Sequence, residues 1–502
     1  MSREEERRRS ARSSAFQNNY PTASLARREG RWDDARNAAY SALQLAEGAL
    51  PAERHWAESL LDKIDLEARA AEAAELRAEA DRKFLAGLEE IRAGFSDEFD
   101  LERTDAAYAE AFGLERIDVD RGTVENAAQA IRNRGEKTAI ELAGVLDMWA
   151  SVRWQIARGP ERDQAALERW KRLVEIARSS DPDPARDRLR SLWIERRRLD
   201  VDALREIAES IDLAAQSVRT LDLLGIALLA SDDRARAVPL LKRIQRIHPS
   251  DAWTNWRLSR ALAQIQPPRT ADGLRYALAA VALRPQSSGL KTNLAWHFVD
   301  HGRAHMRIGR FDDAIATLAA VRDLESIPYD VQSRAEQLEK RCRRLQLIEP
   351  HFEAILAGTI APGDARETTE FAALCTAKGH HLQASKFYGR ALAAKADREA
   401  LVKQAAARSA LLAGFGVGED ARDLDAATRS DLIREGLTWF EEAVAEVEDR
   451  AALRRMARDW LNDPDLAAVR ETAAKANLTR SARQRWRDLW RKLQSARRRG
   501  GG

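Results

Sequence analysis

Between residue 217 and Pro285 one pattern occurs twice in succession, and this repetition restricts the possible fold of the 502-residue chain more than any other feature. In the first copy Leu221, Leu224, Gly225 and Leu228 recur at helical spacing. Ala237, Leu241 and Ile244 follow on a second helical stretch that ends at Pro249. The second copy runs from Asp251 to Pro285, with Leu258, Ser259, Leu262, Gly273, Ala277 and Ala280 in the same roles and its extra length at Pro267–Pro268. Small residues let two antiparallel helices approach closely, and proline, which has no N–H to donate, ends each unit. A helical hairpin of about 34 residues buries its apolar face only against a neighbouring hairpin. The expectation is an all-α fold, a right-handed α-solenoid.

Composition agrees with this. Charged residues make up 32% of the chain and the two signs interleave to a net charge of +3. Such a mixture suits exposed helix faces, and it makes no global case for nucleic acid. Cys342 and Cys375 form neither a disulfide framework nor a zinc pattern, which points to a reducing compartment. No apolar run approaches the ~18 residues of a membrane span. The charged start, Met1 to Arg12, lacks the apolar core of a signal peptide, and the expected location is cytoplasmic.

Along the chain the pattern predicts a disordered tail over 1–20 and a helical hairpin and long-helix region over 21–160. Repeats follow over 161–325, further helical repeats over 326–425, and a C-terminal helical cap with a basic tail over 426–502. In the hairpin, Gly30 marks the turn, and Trp32, Ala35, Ala39 and Ala42 share a face. Ala57, Leu61, Ile64, Ala68 and Ala71 begin one long helix, and Phe84, Leu88, Ile91 and Phe95 continue its stripe. The spacing resembles a coiled coil, but it drifts after Ala71, which favours packing within the chain over a dimer. Phe371, Cys375, Gly379, Ala384, Tyr388 and Ala391 outline another hairpin.

The hairpin units resemble tetratricopeptide repeats. Longer segments carry a second resemblance: Asp105-Ala-Ala-Tyr108 through Phe112 and Asp118, Glu141 through Trp149, Ala177 through Pro184 with Arg186 and Leu189, and Ile247-His248-Pro249 with Trp253-Thr-Asn255. Tyr276 through Pro285, and Asp459-Trp460 with Asn462-Asp463-Pro464-Asp465-Leu466, Val469 and Arg470, complete it. Together these resemble the C-terminal helical-repeat region of large planctomycete-type bacterial serine/threonine protein kinases. The sequence has no Gly-rich loop on a strand, no His-Arg-Asp loop and no Asp-Phe-Gly. The resemblance therefore implies an accessory interaction module, with no cofactor and no catalysis.

Four sets of residues are candidate sites. Trp253, Asn255, Trp256 and Asn293 fall on the first helices of their repeats, which line the groove of such a stack, and asparagine there can bond a bound peptide backbone. Arg483, Arg487, Arg491 and Arg497 lie on a strongly basic last helix whose Trp486, Leu489, Trp490 and Leu493 form an apolar stripe. That helix either caps the stack or binds a polyanion such as nucleic acid. His297, His301 and His305 follow i, i+4, i+8 spacing, which can chelate a metal on an unbroken helix. Gly302 predicts a break there, and no metal site is expected. Gly414, Gly416 and Gly418 predict a helix-ending loop, because the following Glu419 and Asp420 would repel phosphate.

Three functional readings follow. The first is a non-catalytic scaffold that holds a protein or peptide in a solenoid groove. The second is a sensory or substrate-recruiting part of a serine/threonine kinase system. The third is a nucleic-acid-associated protein acting through its last helix.

Overall fold

A computed structural model describes residues 3–47, 51–94, 101–157, 164–195, 201–216, 218–231, 233–265, 267–395, 399–447, 449–473 and 478–498. Among them every regular element is helical. In chain order the helices are α1 (Arg3–Arg28), α2 (Trp32–Ala46), α3 (Pro51–Gly94), α4 (Leu101–Leu114), α5 (Val124–Arg132) and α6 (Glu136–Ala157). Next come α7 (Gln164–Ser180), α8 (Pro184–Glu195), α9 (Val201–Ser210), α10 (Val218–Ala230), α11 (Arg234–Ile247) and α12 (Ala252–Gln264). Then follow α13 (Thr270–Leu283), α14 (Ser288–Arg307), α15 (Phe311–Ala319), α16 (Tyr329–Ile348), α17 (Phe352–Leu356) and α18 (Ala365–Ala377). The last six are α19 (His381–Ala393), α20 (Glu399–Gly414), α21 (Ala426–Ala445), α22 (Arg450–Asn462), α23 (Pro464–Ala473) and α24 (Arg480–Arg498). None of the described helices is long and apolar enough to cross a membrane.

The chain forms two compact units, 1–87 and 88–502. In the first, Ala23 and Ala26 of α1, Ala35 and Ala39 of α2, and Leu60, Leu61 and Ile64 of α3 share one core. Alanine seams let three helices meet closely, as the sequence pattern implies. Gly30 makes the turn with φ +72°. Where a disordered tail is expected, residues 3–20 belong to helix α1, which runs on through Pro21. Phe16 on one side of the proline, and Ala23 and Ala26 on the other, are buried, so packing holds the helix across it. Before Phe16 the helix is almost wholly exposed and rests on the helix-forming tendency of Arg, Glu and Ala. Helix α3 is one element across Gly87, as predicted. Its buried stripe ends at Ala68, where the heptad drifts, and resumes at Phe84 and Leu88. Phe95 lies outside the described residues.

In the second unit, consecutive helices from α10 to α16 and from α18 to α21 pack against each other. Alternate helices α10, α12, α14 and α16 also touch, and α16 meets α18. This is the contact pattern of stacked hairpins in a tetratricopeptide-like solenoid. The predicted small residues Ala237, Ala277, Ala280, Cys375 and Ala384 are fully buried. Helix α21 pairs with α20 and also meets α24.

Gly225 has a more specific use than general closeness. A Cβ there would sit 2.9 Å from Cδ of Arg257, so the missing side chain makes room for an arginine of the next inner helix. Gly225→Trp should therefore cost ~1–3 kcal/mol or more, as overpacking of a close contact does. Denaturant unfolding of the variant measures the loss, and an unchanged midpoint would contradict this packing.

Candidate interaction surface

The inner helices of the first repeats are joined by buried ions. Asp222 on α10 accepts from Arg92 at 2.9 and 3.1 Å, and also from Arg257 on α12. Arg92 belongs to the last turn of α3, and its guanidinium lies 4.2 Å from the ring centroid of Trp253. Beside it, Ser287 Oγ donates to the Ala93 carbonyl at 2.8 Å. Arg219 donates to Glu141 at 2.8 Å and sits 3.5 Å from Glu89. Burial alone would raise the pKa of Asp222, but attraction to Arg257, Arg92 and Arg219 outweighs it and brings it to about 2.

This arrangement uses up most of the predicted groove residues. Trp253 is buried beneath Arg92 and packs edge-on to Trp256, with ring centroids 6.3 Å apart. Asn255 is fully buried, and its Nδ2 donates to the carbonyls of Pro249 and Asp251 at 2.9 and 2.8 Å. It ties down the repeat's own turn and presents no amide to a peptide, contrary to the expectation. Asn293 remains half-buried and donates to Ser259 Oγ at 3.1 Å. Trp256 is also half-buried, with Arg260 5.4 Å from its ring.

The histidine row divides. Helix α14 continues unbroken through Gly302, because that residue packs against Leu318. His297 is buried beside Gly273, and burial followed by repulsion from Arg260 lowers its pKa to about 4. His301 and His305 pair with Nε2 atoms 3.0 Å apart, and Thr270 Oγ1 lies 3.1 Å from His301 Nδ1. No group of three metal-ligating side chains gathers among the described residues.

A second inner face was not foreseen. The corner between α22 and α23 carries Asp459, Asp463 and Asp465. Arg408 of α20 donates to Asp463 at 2.7 Å and to Asp465 at 2.6 Å. On α14, Arg307 lies 3.9 Å from Asp463 and 4.0 Å from Asp465, and Arg303 lies 3.9 Å from Asp459. One short segment thus reaches both α14 and α20, which belong to different hairpins. It does so on the side where those helices converge, the inner side of the stack. His381, buried nearby, has its pKa lowered to about 4 by desolvation and then by Arg408. The sequence did hold a signal, the Asp-Pro-Asp run, but an N-terminal helix cap explains such a run equally well. Asp463 is indeed such a cap, accepting from the Leu466 N–H at 3.2 Å.

The last helix serves as a cap on its apolar side. Trp486, Leu489, Trp490 and Leu493 are buried in one core with Leu437, Phe440, Met456 and Trp460. These tryptophans are therefore not available to enter a membrane. Arg483, Arg487 and Arg491 are exposed; Arg483 donates to the Leu478 carbonyl at 3.2 Å and Arg491 to Asp488 at 3.1 Å. The side chain of Arg497 lies outside the described ones. In the glycine loop, Gly416 and Gly418 adopt φ +78° and +116°. The Asp420 carboxylate accepts from the Leu382 and Gln383 N–H groups at 3.1 and 2.8 Å. The N-terminus of α19 thus already carries a carboxylate of the chain itself.

No family model matches the sequence, and no curated protein matches it. Among solved structures it is similar to yeast Tom70, at 13% identity over 97% of each chain with a TM-score of 0.25. It is similar also to the P58(IPK) TPR domain, at 13% identity over 84% of this chain and 98% of that one with a TM-score of 0.21. A third is the APC/C Cut9-Hcn1 hetero-tetramer, at 12% identity over 98% and 96% with a TM-score of 0.22. TM-scores this low carry no argument, and the fold assignment rests on the helix pairings above.

Two outcomes test the buried ions. Asp222→Ala leaves Arg92 and Arg257 without their carboxylate and should cost ~3–5 kcal/mol in denaturant unfolding, as breaking a buried pair does. His297 and His381 have folded pKa values below the ordinary 6.5, so the unfolded chain takes up more protons as pH falls. Their contribution to stability is complete above pH 6.5 and is lost as pH falls toward about 4. The melting temperature should decline over that window, and less steeply in a His297→Gln, His381→Gln double variant.

Proposed function

We propose that this protein is a non-catalytic interaction scaffold that holds a segment of a partner protein against the inner face of its helix stack. The observation that carries the reading is the α22–α23 corner. The chain lays one of its own short polar segments across α14 and α20, so this face accommodates such a segment with charged pairing. Trp256 and Asn293 are the predicted groove residues still half open to a partner. A role beside a kinase, as the sequence resemblance implies, is a narrower form of the same reading. A photo-crosslinking residue at position 334 or 341 of α16 should capture the same partner in cells, whereas one at position 386 of α19 should not. Equal capture from all three positions, or capture from none, would contradict the scaffold reading.

A second reading has its own observation. Arg480, Arg483, Arg487, Arg491 and Lys492 are exposed on α24 while its apolar side is satisfied by the core. Any polyanion binding there is electrostatic alone and must weaken steeply with salt, because phosphate contacts release counterions. Changing Arg483, Arg487, Arg491 and Arg497 to glutamine should leave the melting temperature unchanged. Salt-sensitive binding to DNA or RNA that disappears in this variant supports this reading; an unaltered affinity counts against it.

A further inference from the structure

The arginines around the α22–α23 corner are unequally paired. Arg408 and Asp463 form a close, largely buried pair, and Asp463 also caps α23. That pair is structural. The pairs at the rim are different: Arg303 and Arg307 are separated from Asp459, Asp463 and Asp465 by 3.9–4.0 Å and remain about one-third exposed. At such exposure ion pairs contribute about 0–1 kcal/mol. On the neighbouring α16, Arg334 and Arg341 stand two turns apart on one side, both exposed. Neither makes an ion pair with a described carboxylate. The surrounding protein, and then the charge of Arg303, hold the Arg334 guanidinium below the usual arginine range, and Asp459 and Asp300 offset this only in part.

Like charges gathered at a protein surface repel, and this rim holds four arginines against one weakly engaged carboxylate, Asp459, since Asp465 is held by Arg408 at 2.6 Å. An anionic ligand would complete the balance. The carboxylates already seated there indicate its chemistry: aspartates carried on a short peptide segment, spaced to meet arginines on two helices, α14 and α20.

We propose that Arg303, Arg307, Arg334 and Arg341 form a docking rim for an internal acidic segment of a partner protein, and that Asp459 is a built-in competitor for it. The rim rests on the scaffold reading above and gives the partner its chemistry. The partner's carboxylates take Arg334 and Arg341 first, because those arginines are unpaired. They then displace Asp459 from Arg303 and draw Arg307 away from its distant contacts with Asp463 and Asp465. The Arg408–Asp463 pair stays closed, so the cap remains folded while the rim exchanges counter-charges.

The test uses the full chain and a fluorescein-labelled twelve-residue peptide of alternating aspartate and glycine, read by fluorescence anisotropy at low and at physiological salt. Binding should weaken at least tenfold in Arg334→Gln, Arg341→Gln. It should tighten severalfold in Asp459→Asn, where the internal competitor is neutral. Circular dichroism melts confirm that both variants fold, and Arg487→Gln, Arg491→Gln on α24 controls for general charge. Loss of binding in the α24 variant alone, or the same affinity in all proteins, overturns the proposal. So does an absence of peptide binding at low salt. The crosslinking experiment separates the two readings: a partner captured at position 334 whose binding ignores the Asp459 variant preserves the scaffold and removes the acidic-segment rim.

Discussion

The packing of the first repeats against the end of α3 depends on one buried carboxylate. Asp222 is held between an arginine from the end of α3 and an arginine from the next inner helix. Removing a carboxylate from water is costly unless partners replace its hydration, and here two guanidinium groups do so. A third arginine, Arg219, acts from a distance and is itself anchored by Glu141. The three arginines Arg92, Arg219 and Arg257 are thus matched by Asp222, Glu89 and Glu141. The same geometry brings Arg92 over Trp253 and the Ala93 carbonyl to Ser287, so one ion fixes how α3, α10, α12 and the start of α14 meet. Buried ion pairs seldom add net stability over apolar replacements of equal volume. What the carboxylate adds is direction: its two oxygens accept only from arginines that arrive along particular lines.

A recurring consequence is that the inner faces of the stack are occupied by the chain itself. The last turn of α3 covers α10 and α12, and the α22–α23 corner lies against α14 and α20. The two covers differ in strength. The first is buried, with side chains of Arg92 and Asp222 only 4% and 6% exposed. The second is buried only at Arg408 and loose at its rim. Opening the rim of the second cover therefore costs far less than opening the first.

Helix periodicity and small-residue positions made the repeats legible. Gly225, Ala237 and Tyr388 are local facts, set by spacing along one helix and its neighbour. The site was much less legible. Asn255 sits where a groove residue should, yet its amide is used by carbonyls four and six residues earlier in its own turn. Sequence spacing gives the face of a side chain but not the unsatisfied carbonyl nearest to it. Gly302 misled for a related reason: its role depends on Leu318 of the next helix, not on the helix containing it. The pairing of Arg92 with Asp222 spans 130 residues, and no local pattern encodes it.

The composition explains why so many arginines are inside. Alanine seams bring helix backbones close but leave little apolar bulk to fill the spaces between hairpins. Where glycine replaces alanine the space is larger, and at Gly225 and Gly144 the atoms that fill it are the Cδ atoms of Arg257 and Arg219. An arginine stem packs there like an apolar side chain while its charged end reaches further. That end then needs a carboxylate, and Asp222 and Glu141 supply it. Apolar filling and ion pairing are thus one device in this chain. The arginines of the rim on α14 and α16 have the same stems but lack close carboxylates, and this difference sets the charge of that face apart from the first.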